Sequence, residues 1–436
     1  MKFSRFTAIL ITIFILVLPA LPAWAYPLDG EPYTGIGRLE GYLLAQEGKA
    51  RAPRQPPGAM LSIDKVCPRL TGYKNIKLPN PDPGFTAQIK KLLGHDAGNY
   101  GIAVLDISNP ENIRYAEHRG TIDHNPGSVG KLVAATALFQ ILADIYPDDI
   151  EARLNILRTS MVTADRFINT DSHKVPLWSY KKKKMTYRPL KTGDKASLYT
   201  YLDWMMSASS NASASMVIRE ILLLTSFKYD YPVKEEKIAA FFKETPKKEL
   251  SELLSRSLQE PLIRNGFDIE QFRQGGFFTW QGKQIVPGTS SRANARSLMQ
   301  FLLLIEQGKI VDEFSSREIK RLLYMTQRRI RYASSPALNN AAVYFKSGSL
   351  YKCKPEPGFK CSKYRGNVRN LMNSAAIVEF PANDPRLHYM VIVMSNVLRK
   401  NSAVEHQTLG TRIHRLIESN HLVNEKSLKN EAFPKK

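Results

Sequence analysis

Apolar residues recur with two different periods along this chain, and the period predicts where helices and strands lie. FTAQIKKLLG, beginning at Phe85, spaces its apolar residues three and four apart, which predicts an amphipathic helix. NYGIAVLDI and NIRYAEHR are short apolar-rich segments joined at a Ser-Asn-Pro turn, and they predict two strands. SVGKLVAATALFQILADIY, beginning at Ser128, is apolar around most of its circumference, which predicts a long, central and buried helix.

The second half of the chain has helical spacing first and strand-like segments later. SRANARSLMQFLLLIEQG and SSREIKRLLYMT predict two amphipathic helices, the first with a serine near its start as a cap. AAVYFKSGS, NSAAIVEF and HYMVIVMSN predict three strands, and AVEHQTLGTRIHRLIES predicts a closing helix. From Pro147 to Gly288 the pattern is helical with loops. Strands near both ends predict an α+β fold, with one sheet assembled from distant segments and an inserted helical subdomain.

Shifts in composition set the boundaries of the predicted regions. Residues 26–84 are rich in Pro and Gly, as in RAPRQPPGAM and LPNPDPG, which predicts an extended arm with at most short elements. A main domain is expected over residues 85–421, followed by a polar tail over 422–436. Within the main domain, the sheet part is expected from residues 85–122 and 289–421, and the helical part from residues 123–288.

The first 25 residues have the features of a secretory signal peptide. Two basic residues precede an apolar stretch, and the segment ends in Ala23-Trp24-Ala25, an A-x-A cleavage pattern. No later apolar run is expected to reach the roughly 18 to 20 residues that a membrane span requires. We therefore expect a soluble, monomeric protein that is exported to the periplasm or the extracellular space and begins at Tyr26.

The charge of the chain bears on its partners. The 62 basic and 40 acidic residues give a net charge of +22, and removing the two basic residues of the leader leaves 60 against 40, or +20. Such an excess favours nucleic acid or anionic envelope polymers as partners, and export argues against nucleic acid. The run Lys181–Lys184 is either a solvated loop or a patch that binds the envelope.

The three cysteines fit an exported protein. Cys353 and Cys361 bracket CKPEPGFKC, a loop short enough to be closed by a disulfide in an oxidising compartment, and Cys67 is left over. With three cysteines and no nearby pair of histidines, a zinc site is poorly supported. We expect neither a metal nor a cofactor.

The segment NPGSVGKLVAATALF, residues 125–139, contains the first candidate chemistry. A phosphate-binding loop requires G-x-x-x-x-G-K-[ST] after a strand. Here Asn125 occupies the first glycine position and Leu132 follows the lysine, so the pattern fails at both ends.

The same segment contains Ser128-x-x-Lys131. Residues three apart share a helix face, so the lysine can reach the serine hydroxyl and, if burial lowers its pKa, accept the hydroxyl proton. Alone the pattern is weak, because residues 62–65 and 179–182 repeat it in loop-like settings. The alternative is a helix cap followed by a surface lysine.

Two further segments strengthen the catalytic interpretation. SSN at residues 209–211 places a hydroxyl and a carboxamide two residues apart, ahead of small residues that allow close helix packing. KSGS at residues 346–349 ends a predicted strand and places an ammonium, hydroxyls and a glycine along one strand edge. A KTG at residues 191–193 precedes SSN and lies in a polar loop, so it does not fit the same order.

With these three motifs in order, the chain resembles the penicillin-recognising serine hydrolases, and most closely the class A β-lactamases and their relatives. The resemblance extends from about Phe85 to Ser419, roughly three quarters of the chain. It implies a β-lactamase/transpeptidase-like fold, with an antiparallel sheet flanked by helices and a helical subdomain.

The resemblance also implies a role for each matching residue. In acylation, these roles are nucleophile for Ser128, proton partner for Lys131, proton relay to the leaving nitrogen for Ser209, and orientation of the substrate amide for Asn211. In substrate binding, they are contact with the carboxylate for Lys346 and Ser347, a side-chain-free strand edge for Gly348, and an oxyanion-binding backbone N–H for Ser349, shared with Ser128. Arg365 and Arg369 are candidates for a second carboxylate contact.

Three features depart from the class A pattern. Ser210 lies where those enzymes usually have aspartate. In class A enzymes the deacylating glutamate belongs to an E-x-x-L-N pattern. The nearest match here begins at Glu260, but it has one residue too many before Asn265, so Glu260 is either the general base or a surface acid. Residues 160–200 have the character of an insertion, which can cover the cleft and alter substrate choice.

The leading functional hypothesis is an exported serine acyl hydrolase that opens β-lactams through a Ser128 acyl-enzyme. A DD-peptidase acting on cell-wall peptides of the D-Ala-D-Ala type is the alternative from the same fold. A catalytically silent protein that binds anionic envelope polymers is the alternative from a different class, motivated by the charge and the Lys181–Lys184 run.

Overall fold

The computed structural model describes residues 27–168, 171–325 and 329–432, so the predicted signal peptide at residues 1–25 lies outside the described residues. The helices in these ranges are α1 (Glu31–Thr34), α2 (Arg38–Gln46), α3 (Pro83–Leu93), α4 (Lys131–Ile145), α5 (Ile150–Thr159), α6 (Leu198–Met206), α7 (Asn211–Phe227), α8 (Glu235–Glu244), α9 (Lys247–Arg264), α10 (Trp280–Ile285), α11 (Ala295–Glu306), α12 (Glu313–Tyr324) and α13 (Ser402–Ala432). The strands are β1 (Tyr100–Asp106), β2 (Arg114–His118), β3 (Met161–Thr163), β4 (Val175–Ser179), β5 (Lys184–Arg188), β6 (Lys195–Ser197), β7 (Ala342–Lys352), β8 (Arg369–Phe380) and β9 (Leu387–Asn396).

Five strands form one antiparallel sheet in the order β2-β1-β9-β8-β7. Strand β1 pairs with β9 so that Tyr100 lies opposite Ser395, which joins the two ends of the domain in the middle of the sheet. Helices cover both faces. The predicted α+β fold, with an antiparallel sheet assembled from distant segments and flanked by helices, is confirmed.

The sheet separates two cores because successive side chains of a strand point to opposite faces. In β1, Ile102 and Val104 pack in the core that contains residues of α3 and α13, whereas Ala103 and Leu105 pack in the larger core beneath the remaining helices. Both faces are buried, so the strand is apolar at almost every position.

Helix α3 shows how local sequence sets the helix ends. Asp82 caps it by accepting a hydrogen bond from the Phe85 amide at 2.7 Å, and Pro83 occupies the first turn. Gly94 follows with a φ of 60°. Helix α11 is capped in the same way by Asn294, not by the serine that was predicted as its cap.

The prediction of an extended N-terminal arm is wrong. The segment contains α1 and the nine-residue helix α2, and its Leu39 and Tyr42 are fully buried in the larger core. The Arg38 guanidinium forms a buried ion pair with Asp203 of α6, with N–O distances of 2.6 and 2.5 Å. Pro and Gly interrupt this segment, but its apolar residues still pack.

The region predicted as helices and loops between α4 and α11 also contains strands. Strands β4 and β5 form a hairpin, and β3 pairs with β6. The predicted polar tail is likewise in part helical, since α13 extends to Ala432.

One helix contradicts the expectation about apolar runs. Among the described residues, the segment Gly127–Ile145 has the length and composition of a membrane span, although 83% of it is buried inside the fold.

Candidate active site

The first motif lies where a 3-10 turn, Gly127–Gly130, leads into α4. Gly127 has a φ of 54°, a conformation that favours glycine and turns the chain so that Ser128 precedes the helix. Lys131 is the first residue of α4 and is fully buried. Its Nζ lies 3.0 Å from the Ser128 Oγ, so the predicted serine–lysine pair is formed.

The second motif supplies two acceptors to the same ammonium. Lys131 Nζ donates to the Ser209 backbone oxygen at 2.6 Å and to Asn211 Oδ1 at 2.8 Å, and it lies 3.5 Å from Ser209 Oγ. Ser209 has a φ of 59°, an uncommon conformation for a residue with a side chain. Ser210 then caps α7 by accepting a hydrogen bond from the Ser213 amide.

The third motif reaches the site from β7. Lys346 Nζ donates to Ser209 Oγ at 2.8 Å, so Ser209 lies between two lysines. Gly348 faces the nucleophile turn so closely that a Cβ there would lie 2.8 Å from the Ser128 amide nitrogen and 3.1 Å from the Val129 nitrogen. Only glycine allows β7 and the turn to approach this closely. A Cβ on Gly127 would in turn lie 3.2 Å from the Ser349 nitrogen, so both predicted oxyanion amides lie at this contact.

Burial controls the charge of both lysines. Removal from water lowers the pKa of Lys131 to about 7, although the negative charge of Asp171 opposes this shift. The pKa of Lys346 lies well below its ordinary value because of burial and because of the positive charges of Lys131 and Arg331. A lysine that titrates near neutral pH can act as a base toward a neighbouring hydroxyl.

A guanidinium that the sequence did not reveal extends the third motif. Arg331 donates to Ser347 Oγ at 2.7 Å, to Ser349 Oγ at 3.2 Å and to the Tyr364 hydroxyl at 3.0 Å. The contacts described for this guanidinium are with neutral hydroxyls. The arrangement can therefore bind an anionic group through one cation and several hydroxyl donors.

The contacts described for the side chains of Arg365 and Arg369, the candidates from the sequence, do not include the three motifs. Arg365 donates to the Arg399 backbone oxygen at 2.9 Å, and Arg369 is exposed at the first position of β8. Arg331 follows the residues 326–328 that the structure does not describe, and nothing in its local pattern indicates a site.

A family model described as the beta-lactamase enzyme family matches residues 84–417. The chain belongs to the beta-lactamase enzyme family.

Three solved structures illustrate the similarity. A PBP-A variant in an acyl-enzyme complex with penicillin G is 15% identical, covering 78% of this chain and all of the other, with a TM-score of 0.49. TLA-3 extended-spectrum β-lactamase is 13% identical, covering 77% and 98%, with a TM-score of 0.48. A β-lactamase from Chitinophaga pinensis is 15% identical, covering 77% and 98%, with a TM-score of 0.44. No curated protein gives a significant match.

In this member of the beta-lactamase enzyme family, Glu260 lies beside a later part of α4 than the predicted nucleophile, so the geometry does not support its predicted role as deacylating base. Glu260 lies near the end of α9 and lines a groove of about 440 Å³ with Ala137, Ile141 and Asp144. Those three residues lie at least six positions after Lys131 on α4, about 9 Å or more along the helix. The string from Glu260 to Asn265 carries no information about which end of α4 the end of α9 packs against.

Residues after α9 contact the nucleophile segment instead. The Phe278 ring lies 4.9 Å from Lys131 Nζ, and the side chain of Gln274, which is 5% exposed, fills the space beside Gly130. The Gln274 amide nitrogen donates to the Gly276 backbone oxygen at 2.6 Å.

The structure also reveals an aspartate that the motifs do not include. Asp171, within the segment that was interpreted as an insertion, accepts hydrogen bonds from the second motif. Burial acts to raise the pKa of Asp171. Its hydrogen bond with His173, the charge of His173 and the hydrogen bonds from backbone amides outweigh burial, so the pKa of Asp171 lies below its ordinary value.

The cysteines and the possible metal ligands lie outside this site. Cys353 and Cys361 form a disulfide with a Cα–Cα distance of 6.1 Å, in the loop between β7 and β8, and Cys67 is free. Among the described residues, the side chains with metal-ligand chemistry that lie together are Glu306, Glu379 and His388. The Lys320 ammonium lies among them, 2.5 Å from the Glu306 carboxylate and 2.7 Å from that of Glu379, and the Arg69 guanidinium lies 3.2 Å from Glu379, so these two cations already balance the two carboxylates.

Proposed function

We propose that this chain is an exported serine acyl hydrolase that opens β-lactams by acylating Ser128. The observation that supports this proposal is the arrangement around the Lys131 Nζ. A neutral amine has two N–H groups and one lone pair. The two N–H groups donate hydrogen bonds to the Ser209 backbone oxygen at 2.6 Å and to Asn211 Oδ1 at 2.8 Å. The lone pair is then left to accept a hydrogen bond from the Ser128 hydroxyl, whose oxygen lies 3.0 Å away.

The proposed reaction follows from these contacts. Lys131 takes the hydroxyl proton while the Ser128 Oγ bonds to the lactam carbonyl carbon and the carbonyl π electrons move to oxygen. Backbone N–H groups of Ser128 and Ser349 stabilise that oxyanion. Collapse breaks the carbon–nitrogen bond, and the proton passes from Lys131 through Ser209 to the leaving nitrogen. Water then hydrolyses the ester and restores the Ser128 hydroxyl.

The third motif gives a reason for the substrate class. Arg331, Ser347 and Ser349 form an anion-binding end of the cleft next to Lys346. β-Lactams and peptides that end in D-alanine both carry a carboxylate near the bond that is broken. A carboxylate bound here would place the neighbouring carbonyl near Ser128, because Gly348 brings β7 against the nucleophile turn.

Absorbance assays test this function. A chromogenic β-lactam is expected to be opened by the mature chain and not by Ser128→Ala, and release of D-alanine from a muropeptide is expected to be slower. Equal rates for the wild-type chain and Ser128→Ala would contradict the proposal. Fast D-alanine release without β-lactam turnover would favour a DD-peptidase.

One observation favours the DD-peptidase as the second candidate. Glu260, the acid expected to activate the deacylating water, lies against a distant part of α4, and Phe278 and Gln274 contact the nucleophile segment. A β-lactam acyl-enzyme that lacks an activated water persists. A β-lactam adduct that lasts for hours, together with turnover of peptide, would support this candidate.

A basic surface favours an anionic envelope polymer as partner in either case. We define it as Arg51, Arg54 and Lys181–Lys184, all exposed. The two segments are adjacent because the Met185 amide donates to the Arg51 oxygen at 3.2 Å and the Arg51 amide donates to the Lys183 oxygen at 3.4 Å. Cations that the sequence separates by about 130 residues therefore form one surface.

Binding measurements at several salt concentrations test this partner. The probes are purified lipopolysaccharide and lipoteichoic acid, with duplex DNA as the alternative polyanion. Replacing all four of Lys181–Lys184 with Gln is expected to weaken binding and to flatten its salt dependence, whereas replacing four other exposed lysines is not. These control positions are Lys234, Lys243, Lys247 and Lys248. Equal losses in both variants would show that net charge alone determines binding.

A further inference from the structure

We infer that Asp171, supplied by the inserted segment, is a positioning residue that fixes the second motif and thereby the proton acceptors around Lys131. This inference rests on the proposed function of the Ser128 site. It assigns to a residue outside the three motifs a part in setting the geometry of the reaction.

A single carboxylate oxygen makes the contacts. Asp171 Oδ2 accepts from Ser210 Oγ at 2.9 Å, from the Asn211 amide at 2.7 Å and from the Ala212 amide at 3.0 Å. The Asp171 side chain is 4% exposed. A carboxylate removed from water needs such partners, and the first amides of a helix are among those that no backbone carbonyl satisfies.

These contacts hold the residues that Lys131 uses. The Lys131 Nζ donates to the Ser209 oxygen and to Asn211 Oδ1, one residue on either side of Ser210. Ser209 has a φ of 59°, which must be maintained by surrounding contacts because it is unfavourable for serine. By binding both Ser210 and the Asn211 amide, Asp171 fixes the peptide that places these two acceptors.

The opposite side of the carboxylate anchors the inserted segment. Asp171 Oδ1 accepts from the His173 amide at 3.2 Å and lies 2.6 Å from His173 Nδ1. The β4–β5 hairpin follows directly. Class A enzymes usually have aspartate at the position of Ser210, and here a carboxylate reaches the same motif from a distant part of the chain.

The charge of Asp171 also acts on the base. The ionisable groups described around Lys131 are Asp171, which is paired with His173 on the inserted segment, and Lys346 on β7, which Arg331 also influences. Asp171 raises the pKa of Lys131 against the effect of burial. Removing the negative charge would therefore lower the pKa of Lys131 and leave it neutral at more acidic pH.

The test compares acylation by a fluorescent penicillin across pH in the wild-type chain and in Asp171→Asn. The acidic limb is the part of the plot of acylation rate against pH in which the rate rises with pH. In Asp171→Asn, the maximal acylation rate is expected to be lower by about tenfold, and the acidic limb is expected to shift to lower pH. A purely structural role would lower the maximal rate without moving the limb. An unmoved limb in a folded Asp171→Asn variant would overturn the inference.

Two further variants keep the test decisive. The double variant Asp171→Asn, Ser210→Asp moves the carboxylate into the motif, and it is expected to recover most of the rate and the position of the limb. If Asp171→Asn alone does not reach the folded state, the double variant decides. A folded double variant with the wild-type acylation rate and acidic limb supports the inference. A folded double variant that restores neither of them overturns it. Asp194→Asn is the matched control, since that carboxylate binds Arg188 within the same segment.

A measurement without substrate separates this inference from the proposed function. Lysine labelled with ¹³C is titrated by NMR, with Lys131→Arg assigning the signal. If no penicillin acylates the wild-type chain, the proposed function fails, but a lower Lys131 pKa in Asp171→Asn still supports the inference. An unchanged Lys131 pKa would overturn the inference whether or not acylation occurs.

Discussion

At the scale of single residues, the site depends on how many hydrogen bonds a lysine can make. Lys131 has acceptors for two N–H groups in the second motif and a hydroxyl in the first motif toward which its lone pair can point. Such a lysine is useful only when it is neutral. Burial makes this possible near neutral pH.

This dependence predicts a pH profile for acylation. Below a pH of about 7 the Lys131 ammonium is protonated and cannot accept the Ser128 proton, so the acylation rate is expected to rise with pH through about 7. Stopped-flow measurement of acylation by a fluorescent penicillin between about pH 5 and about pH 9 checks this prediction. A rate that is independent of pH across this window would exclude Lys131 as the base.

Gly348 permits a second prediction. A Cβ at this position would meet the backbone of the nucleophile turn, which cannot rotate away as a side chain can. Gly348→Ala is expected to displace β7 and to slow acylation by about 100-fold, with little change in the content of secondary structure. Gly98→Ala is the control, since a Cβ there meets nothing within 4 Å. Similar rates for the two variants would contradict this account of the contact.

At the scale of elements, the site lies where a helix start, a helix cap and a strand edge meet. The three elements are α4, α7 and β7, and the apolar patterns that predict α4 and β7 are local properties of the sequence. Their packing determines which end of each element faces the others. The position of Glu260 illustrates this, because the residue lies near the end of α9, beside a part of α4 that is at least six residues after Lys131.

Glu260→Gln is therefore expected to change neither acylation nor deacylation by more than about twofold, as for a surface substitution remote from the chemistry. The lifetime of the β-lactam adduct, followed by mass spectrometry, checks the prediction. A lifetime at least about tenfold longer in the variant would show that α9 moves toward the nucleophile during the reaction.

At the scale of the whole molecule, the N-terminal segment is part of the folded domain. Arg38 binds Asp203, and Asp203 lies on α6 just ahead of the second motif. Because Asp203 is fully buried, removing its partner leaves a carboxylate in a low-dielectric environment.

Arg38→Met is expected to lower the free energy of unfolding by about 3 to 5 kcal/mol, the range for breaking a buried ion pair. Urea denaturation measures this loss. Arg188→Met, which breaks the more exposed pair with Asp194, is expected to cost about 1 kcal/mol or less. If both variants lose the same stability, the N-terminal segment is not held as described.

The sequence was informative where function depends on neighbouring residues. Ser128-x-x-Lys131, SSN and KSGS each lie within one turn or one strand edge. Apolar patterns predicted the helix after the first motif and the strand that carries the third, and they placed the second motif in a region of helices and loops. Asp171 and Arg331 could not be predicted, because each acts on residues 16 to 41 positions away through packing of the chain. The N-terminal segment was misinterpreted because its Pro and Gly content obscured apolar residues that pack in the core.

The measurement that tests the central claim most directly is the mass of the intact mature chain over time after mixing with a penicillin, alongside Ser128→Ala. The account predicts an added mass equal to one whole penicillin, because ring opening retains every atom, and peptide mapping places it on Ser128. The Ser128→Ala variant is predicted to gain no mass. The same adduct on both proteins, or on another residue, would contradict the assignment of Ser128 as nucleophile, and no adduct on either would contradict acylation by β-lactams.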